Sequence, residues 1–503
     1  MSNTGEREKI RVALLYRGPQ HQGKDDFSSF VPMGLFNVLK SLRLAGYAAS
    51  LHNLSRTPGA GLAKSLAGFE ADAFLISAFF GCHHEAYTLA RLAKKVSPRA
   101  PVVLGGPLSV LGPEILGRVA EIDYVIRGEG EEAGVALLDA LYRGKGRPEA
   151  IPGVVCRGPS GIIATPSRLL SGIDRFFFLP SEVMPHCRGV RPENLAVLIS
   201  SRGCPFHCAF CSSTVLWQNR VRHHAVPLLI SYLKDLRKST GAIYFSLRDE
   251  NFLAGRTHVE EFTAALQESR LHYLWNAQAS PRFIDETLAR RLAAAGCDQV
   301  QMGIEAVSPR LRAFLGKHDK AENIPEAIRL LRRQAIRPFG YFIYGMGESE
   351  SEGKESLDFI HRAGLLDAVA SPLALYPGTG LAEGVNPARF FDKGEILLHS
   401  PDSAGKWRNR YRRALAGLHE QGGFSREELT AGPGQTTVRA VARYFRALAE
   451  NDQAGAERIL TTLAGEEPDN PWSFNLLAGF YEERGKAKKA AAMRGKLQAL
   501  TGF

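Results

Sequence analysis

Three cysteines stand within eight residues, in Cys204-Pro205-Phe206-His207-Cys208-Ala209-Phe210-Cys211. Thiolates are soft ligands, and at this spacing they suit an iron–sulfur cluster or zinc. A structural zinc site wants four protein ligands. His207 could be the fourth, but zinc sites usually pair one C-x-x-C with a second, and none of Cys82, Cys156, Cys187 or Cys297 belongs to such a pair. A cluster is therefore the preferred reading. Three protein ligands leave one iron open, free to take a small molecule through its amine and carboxylate. Phe206 and Phe210 would keep the cluster partly dry.

The run Ala196–Ser200 just before the triplet reads as a strand, so the thiols are expected on a loop at a sheet's carboxyl end. Further strands are predicted at Ala242–Leu247, Leu274–Ala277, Gln299–Gly303, Pro338–Tyr344 and Ala368–Ala374, separated by amphipathic helices such as Asp285–Ala295 and Ile324–Gln334. Six βα units over 193–390 fit a partial (β/α)6, TIM-like barrel with its chemistry at the strands' carboxyl ends. Upstream, Arg11–Tyr16, Ala73–Ser77, Val102–Leu104 and Tyr124–Ile126 alternate with helical patterns. This α/β order predicts a Rossmann-like parallel sheet over residues 1–150, with its ligand beyond the strand ends at the Gly-rich turns. Residues 151–192 read as a hairpin, Gly153–Arg157 with Gly161–Thr165, followed by a Pro-rich linker. Residues 391–503 read as helical. There Asn451–Ala456 recurs as Gly485–Ala490, placing Ala456 and Ala490 a tetratricopeptide-like period apart.

At 503 residues the chain is expected to form about three or four domains. Met1–Ile10 lacks the apolar core of a signal peptide, and no stretch of about 18 apolar residues occurs. A reducing, cytoplasmic setting is therefore expected, where metal binding outranks disulfides for the seven cysteines. The net charge of +11 is dispersed, and the one dense basic run, Lys406–Arg413, reads as a solvated helix face. Nucleic acid is disfavoured and a membrane span is not expected. Trp217, Trp275, Trp407 and Trp472 default to core packing.

C-x3-C-x2-C after a first barrel strand resembles the signature of the radical S-adenosylmethionine (SAM) superfamily. That resemblance implies a four-iron–four-sulfur cluster on Cys204, Cys208 and Cys211, with SAM on the open iron. Strand-end residues similar to the family's SAM-facing positions are Asp249 and Glu250, Gln278 and Ser280, Gly303 and Glu305, and Tyr344 and Gly345. The usual Gly-Gly-Glu after the second strand is absent. The front domain resembles the cobalamin-binding domain that precedes many radical SAM domains. By that likeness Ser77, Phe79 and Phe80, Gly105-Gly106-Pro107 and Gly128-Glu129-Gly130 would approach the corrin. The Asp-x-His-x-x-Gly motif is missing, and His21, His52, His83 and His84 all fail its spacing. The likeness therefore implies no motif histidine on cobalt, with His83 and His84 as secondary candidates.

Together these likenesses cover about residues 10–385. They imply reductive cleavage of SAM to a 5′-deoxyadenosyl radical and methylation of an unactivated carbon in a small-molecule or peptidic substrate. Flavodoxin or ferredoxin would supply electrons. One alternative is a radical rearrangement, cyclisation or oxidation without methyl transfer. Another is a cluster-binding assembly protein that uses the helical repeat to hold a protein partner. The C-terminal region is expected to shape the substrate entrance.

Overall fold

The computed structural model describes residues 10–19, 30–317, 321–393, 396–398, 401–420, 423–431 and 436–503. His21 and nearly all of the N-terminal segment Met1–Ile10 lie outside these. The chain divides into two compact units, one of residues 1–194, 215–217 and 375–396 and one of the remainder.

The first unit is built on an eight-stranded sheet. Its strands are β1 (Arg11–Tyr16), β2 (Ala48–Asn53), β3 (Ala73–Ser77), β4 (Val102–Gly105), β5 (Tyr124–Ile126), β6 (Val154–Gly158), β7 (Gly161–Ala164) and β8 (Cys187–Arg188). The order is β7-β6-β5-β4-β3-β1-β2-β8, with β8 to β5 parallel and the β6–β7 hairpin antiparallel at one edge. From β1 the chain winds outward to β2, then crosses to β3, β4 and β5. This reversal puts the switch point between β1 and β3. β1 and β3 are almost wholly buried, as apolar runs covered on both faces must be. The expected hairpin and linker extend this sheet at both edges. β2 escaped the sequence reading because Ser50, His52 and Asn53 break its apolar run.

In the second unit, β9 (Val197–Leu198), β12 (Tyr244–Leu247), β13 (Leu274–Ala279), β14 (Cys297–Glu305), β15 (Arg337–Tyr344) and β16 (Asp367–Pro372) lie side by side in chain order, all parallel. A short antiparallel pair, β10 (Ser201–Arg202) with β11 (Arg222–His223), carries the cysteine loop. Side chains alternate across a strand, and here one face is apolar. Phe245, Trp275, Phe252 and Phe262 interlock there, with Phe245 and Trp275 stacked at 5.8 Å. Asp285 starts the helix after β13 by accepting from the Leu288 amide at 2.7 Å. That helix ends at Gly296, whose φ of +91° and closeness to Tyr273 O admit only glycine.

Helices Thr437–Ala449, Gln453–Glu466, Pro471–Glu482 and Ala487–Thr501 follow one another, and neighbours share a core of Tyr444, Ala456, Leu460, Leu477, Phe480, Tyr481 and Ala490. The recurring alanines Ala456 and Ala490 both lie in it. Of the C-terminal region expected to shape the substrate entrance, these four helices lie elsewhere, while helix Pro401–Glu420 packs Tyr411 against Tyr344 at the carboxyl end of β15. The four helices close the opposite, amino-terminal end of the barrel strands. Trp472 Nε1 donates to Ile243 O at 3.2 Å, Arg439 reaches Arg333 O at 2.6 Å, and Leu274 and Ala335 pack with Phe424, Leu429 and Val438. The basic run lies on helix Pro401–Glu420. Lys406 and Arg410 pair with Glu350 there, while Trp407 and Tyr411 are buried. Among the described residues no helix is long and apolar enough to cross a membrane.

Candidate cluster and cofactor site

The three thiols lie on the loop after β10, at the carboxyl ends of the barrel strands, and each is partly exposed. The loop is held by its backbone: Ala209 N donates to Leu315 O at 2.9 Å and Cys211 N to Cys208 O at 3.1 Å. Gly316, at φ +68°, lets that backbone approach, since a Cβ would stand 3.1 Å from Ala209 N and 3.2 Å from His207 O. Burial raises all three thiol pKa values, and neighbouring thiols raise Cys208 and Cys211 further. Cys208 is pushed up to about 11, with the Lys317 ammonium pulling the other way. Among the described residues no three such donors converge tightly enough to hold a single metal ion, but three soft thiols that influence one another beside a cation are the donor type a larger anionic cluster takes.

Asn251 ties this loop to the next strand end. Its Nδ2 lies 3.9 Å from Cys204 Sγ, and its Oδ1 accepts from Ser280 N at 3.2 Å. Its sequence signal was only its place beside Asp249-Glu250. The Asn251→Ala variant is expected to assemble the cluster but lose it to a chelator about 10–100-fold faster, as for other outer-shell partners. Iron release timed in both proteins checks this.

Of the eight predicted SAM residues, the structure brings Glu250, Ser280, Gly303 and Glu305 into the surroundings of the loop. Glu250 accepts from Gly203 N at 3.0 Å. Gly303 and Glu305 meet at a β-bulge, where Glu305 adopts φ +64°. Lys317 Nζ donates to Gly303 O at 2.5 Å and lies 3.5 Å from Glu305 Oε1. A non-glycine residue held left-handed at a strand end marks stored strain, here over-determined by that lysine. Lys317 itself had no local motif and was missed. Gly345 starts a turn closed by Glu348, which accepts from Gly345 N at 2.9 Å and Met346 N at 2.7 Å. Gln278 sits deeper, on the inner face of β13.

Two of the expected SAM contacts are corrected. Asp249 is fully buried, with its carboxylate occupied inside the chain. Its carboxylate accepts from Ser200 N at 2.7 Å and from the Ser200 and Ser201 hydroxyls at 2.6 Å each, holding the stem of the cysteine loop. The Tyr344 ring is buried against Tyr411 at 5.5 Å, so the backbone there, rather than the phenol, lies at the strand end.

In the first unit, Ser77, Gly105, Gly106 and Pro107 come together at the ends of β3 and β4. Gly106 has φ +86°, and a Cβ on it would fall 2.7 Å from Ala78 O and 2.9 Å from Ser77 Oγ. The result is a side-chain-free edge next to the β1–β3 switch point, with partly exposed Phe79 beside Tyr16 at 6.4 Å. Such an edge suits a broad flat cofactor. The remaining corrin contacts are corrected. Glu129 is buried and accepts from Leu170 N at 2.7 Å, and Gly128 packs on Ser167, so the connector after β7 lies over Gly128-Glu129, while Gly130 faces the Val38 side chain. Phe80 is buried against Tyr376 at 4.9 Å. The His83 ring nitrogens face Phe80 O at 2.7 Å and Asp392 O at 3.0 Å, leaving neither for cobalt.

Comparison with known proteins agrees with this geometry. The sequence model of the Radical SAM superfamily matches residues 198–360 and that of the B12 binding domain residues 28–138. An uncharacterized methyltransferase of Pyrococcus horikoshii is 29% identical over 327 residues, 64% of this chain and 71% of the relative. An anaerobic magnesium-protoporphyrin IX monomethyl ester cyclase of Rubrivivax gelatinosus is 27% identical over 55% of this chain and 50% of its own length. Among solved structures, the radical SAM methyltransferase TsrM of Kitasatospora setae, with cobalamin and a [4Fe-4S] cluster bound, superposes with a TM-score of 0.63. It does so at 19% identity over 74% of this chain and 77% of that one, a likeness of fold.

Proposed function

We propose, from the matches of the Radical SAM superfamily model to residues 198–360 and of the B12 binding domain model to residues 28–138, that the chain is a cobalamin-dependent radical SAM methyltransferase acting on an unactivated carbon of a small molecule. The observation that carries this reading is the three-thiol loop at the carboxyl ends of the parallel barrel strands, in a chain whose other sheet ends in a glycine edge. With their cofactors bound, the two sites supply one-electron cleavage of SAM and a carrier for its methyl group. Cys204, Cys208 and Cys211 would hold the cluster, and Asn251 would donate to the Cys204 sulfur. Lys317 would offer a cation to the SAM carboxylate and Glu305 an acceptor to its amine, a reading supported by their standing together beside the cysteine loop. Ser77 and the Gly105–Pro107 turn would border the corrin. A one-electron donor of the flavodoxin or ferredoxin type would serve the cluster in a reducing cytoplasm.

The cyclase relative favours a second reading, radical chemistry without methyl transfer. One experiment separates them. Anaerobically reconstituted protein is given hydroxocobalamin, SAM and a strong reductant. Cobalamin retained through gel filtration, with both 5′-deoxyadenosine and S-adenosylhomocysteine formed, is the expected result. Deoxyadenosine alone, without retained cobalamin, would favour the second reading. A folded, cluster-loaded protein that leaves SAM intact would overturn both.

A further inference from the structure

Arg17 stands just past Tyr16, the last residue of β1, with only 6% of its surface exposed. Leu15 lies opposite Ile76, so Arg17 follows β1 level with Ala78, which follows β3. Ala78 is also the residue whose carbonyl a Cβ on Gly106 would meet at 2.7 Å. The arginine therefore borders the glycine edge, at the β1–β3 switch point. Glu85, in the first turn of helix His83–Val96, draws the side chain across the end of β3, with its Oε2 2.7 Å from Nε. That contact is off the line of the N–H. Neither Nε nor Nη1 has a hydrogen-bond partner among the described residues, although both atoms are buried.

We infer that Arg17 binds the phosphodiester of cobalamin, the group that joins the corrin to its nucleotide base. The inference rests on the cobalamin reading above and assigns the part of the cofactor that this residue holds. Three physical points support it. First, buried donors are nearly always paired, so a buried cation with two idle N–H groups calls for an acceptor from outside the chain. Second, Glu85 balances charge without spending the planar fork of donors, and two phosphate oxygens match that fork. Third, the glycine edge suits the flat ring, whose rim carries neutral amides. The phosphodiester is then the anionic group that the periphery of the cofactor offers to a cation standing beside that edge.

The test titrates corrinoids into the full reconstituted chain and follows their visible difference spectra. Hydroxocobalamin is compared with hydroxocobinamide, which keeps the corrin but lacks the phosphodiester and the base. The wild-type chain is expected to bind the first about 10–100-fold more tightly, the worth of a charge-assisted hydrogen bond. Arg17→Met should weaken hydroxocobalamin binding by a similar factor and leave cobinamide binding unchanged. Arg17→Lys should restore part of the loss, because a point charge lacks the fork. A purely structural role would weaken both corrinoids together, and that result would overturn the inference. So would a wild-type chain that binds the two equally, a comparison that holds even where a variant fails to fold. A folded wild-type chain that retains neither corrinoid would overturn the cobalamin reading itself, and this inference with it.

Discussion

The Cys208→Ala variant is expected to be a folded chain without a cluster and without detectable 5′-deoxyadenosine formation. Cys208 sits partly exposed on a loop, and what that loop needs from it structurally is the carbonyl that accepts from Cys211 N, which alanine keeps. The surrounding strands should be indifferent to the change. The metal site should not, because a cluster held by three thiolates has no protein substitute for a lost one. Without metal the Cys208 proton is held tightly, with a pKa near 11, so cluster binding must displace it and its affinity is coupled to proton release. Iron and sulfide analysis, circular dichroism and product assay check this together, with Cys156→Ala as a control that retains its iron. Full iron content in Cys208→Ala would refute the ligand assignment.

Substituting Asp249 is expected to have the largest effect on stability. Alanine there would orphan three buried donors at once, at about 1–3 kcal/mol for each left unsatisfied, lowering the denaturation midpoint and misplacing the stem of the cysteine loop. Burial outweighs the three hydrogen bonds and lifts the carboxyl to about 7, against about 3.9 in an unfolded chain. The folded state therefore binds this proton more tightly. The stabilisation associated with it is fully present below about pH 4 and is lost as pH rises through about 7. Asp249→Asn, which cannot ionise, should flatten that part of the stability profile. Urea unfolding of both proteins at pH 5 and pH 8 measures it, and parallel profiles would show that Asp249 does not titrate in this range.

Much of this architecture was legible in sequence because its signals are local. Six apolar runs announced the barrel strands, and the cysteine spacing announced a cluster loop within one short segment. Both signals survive folding because period and spacing belong to neighbouring residues. The errors share a physical cause as well. Asp249, Glu129 and Phe80 had the right residue types next to the right strand ends, yet each was drawn into packing or hydrogen bonds with distant segments.

The amino-acid sequence by itself thus determined which residues can bind a cluster, which runs form strands, and where glycine opens the backbone. The tertiary structure decided the directions. It turned Asp249 inward, brought Lys317 to Glu305, and set the last four helices against the floor of the barrel. Those outcomes depend on contacts between residues far apart in the chain, such as Trp472 with Ile243, whose partners no local pattern specifies.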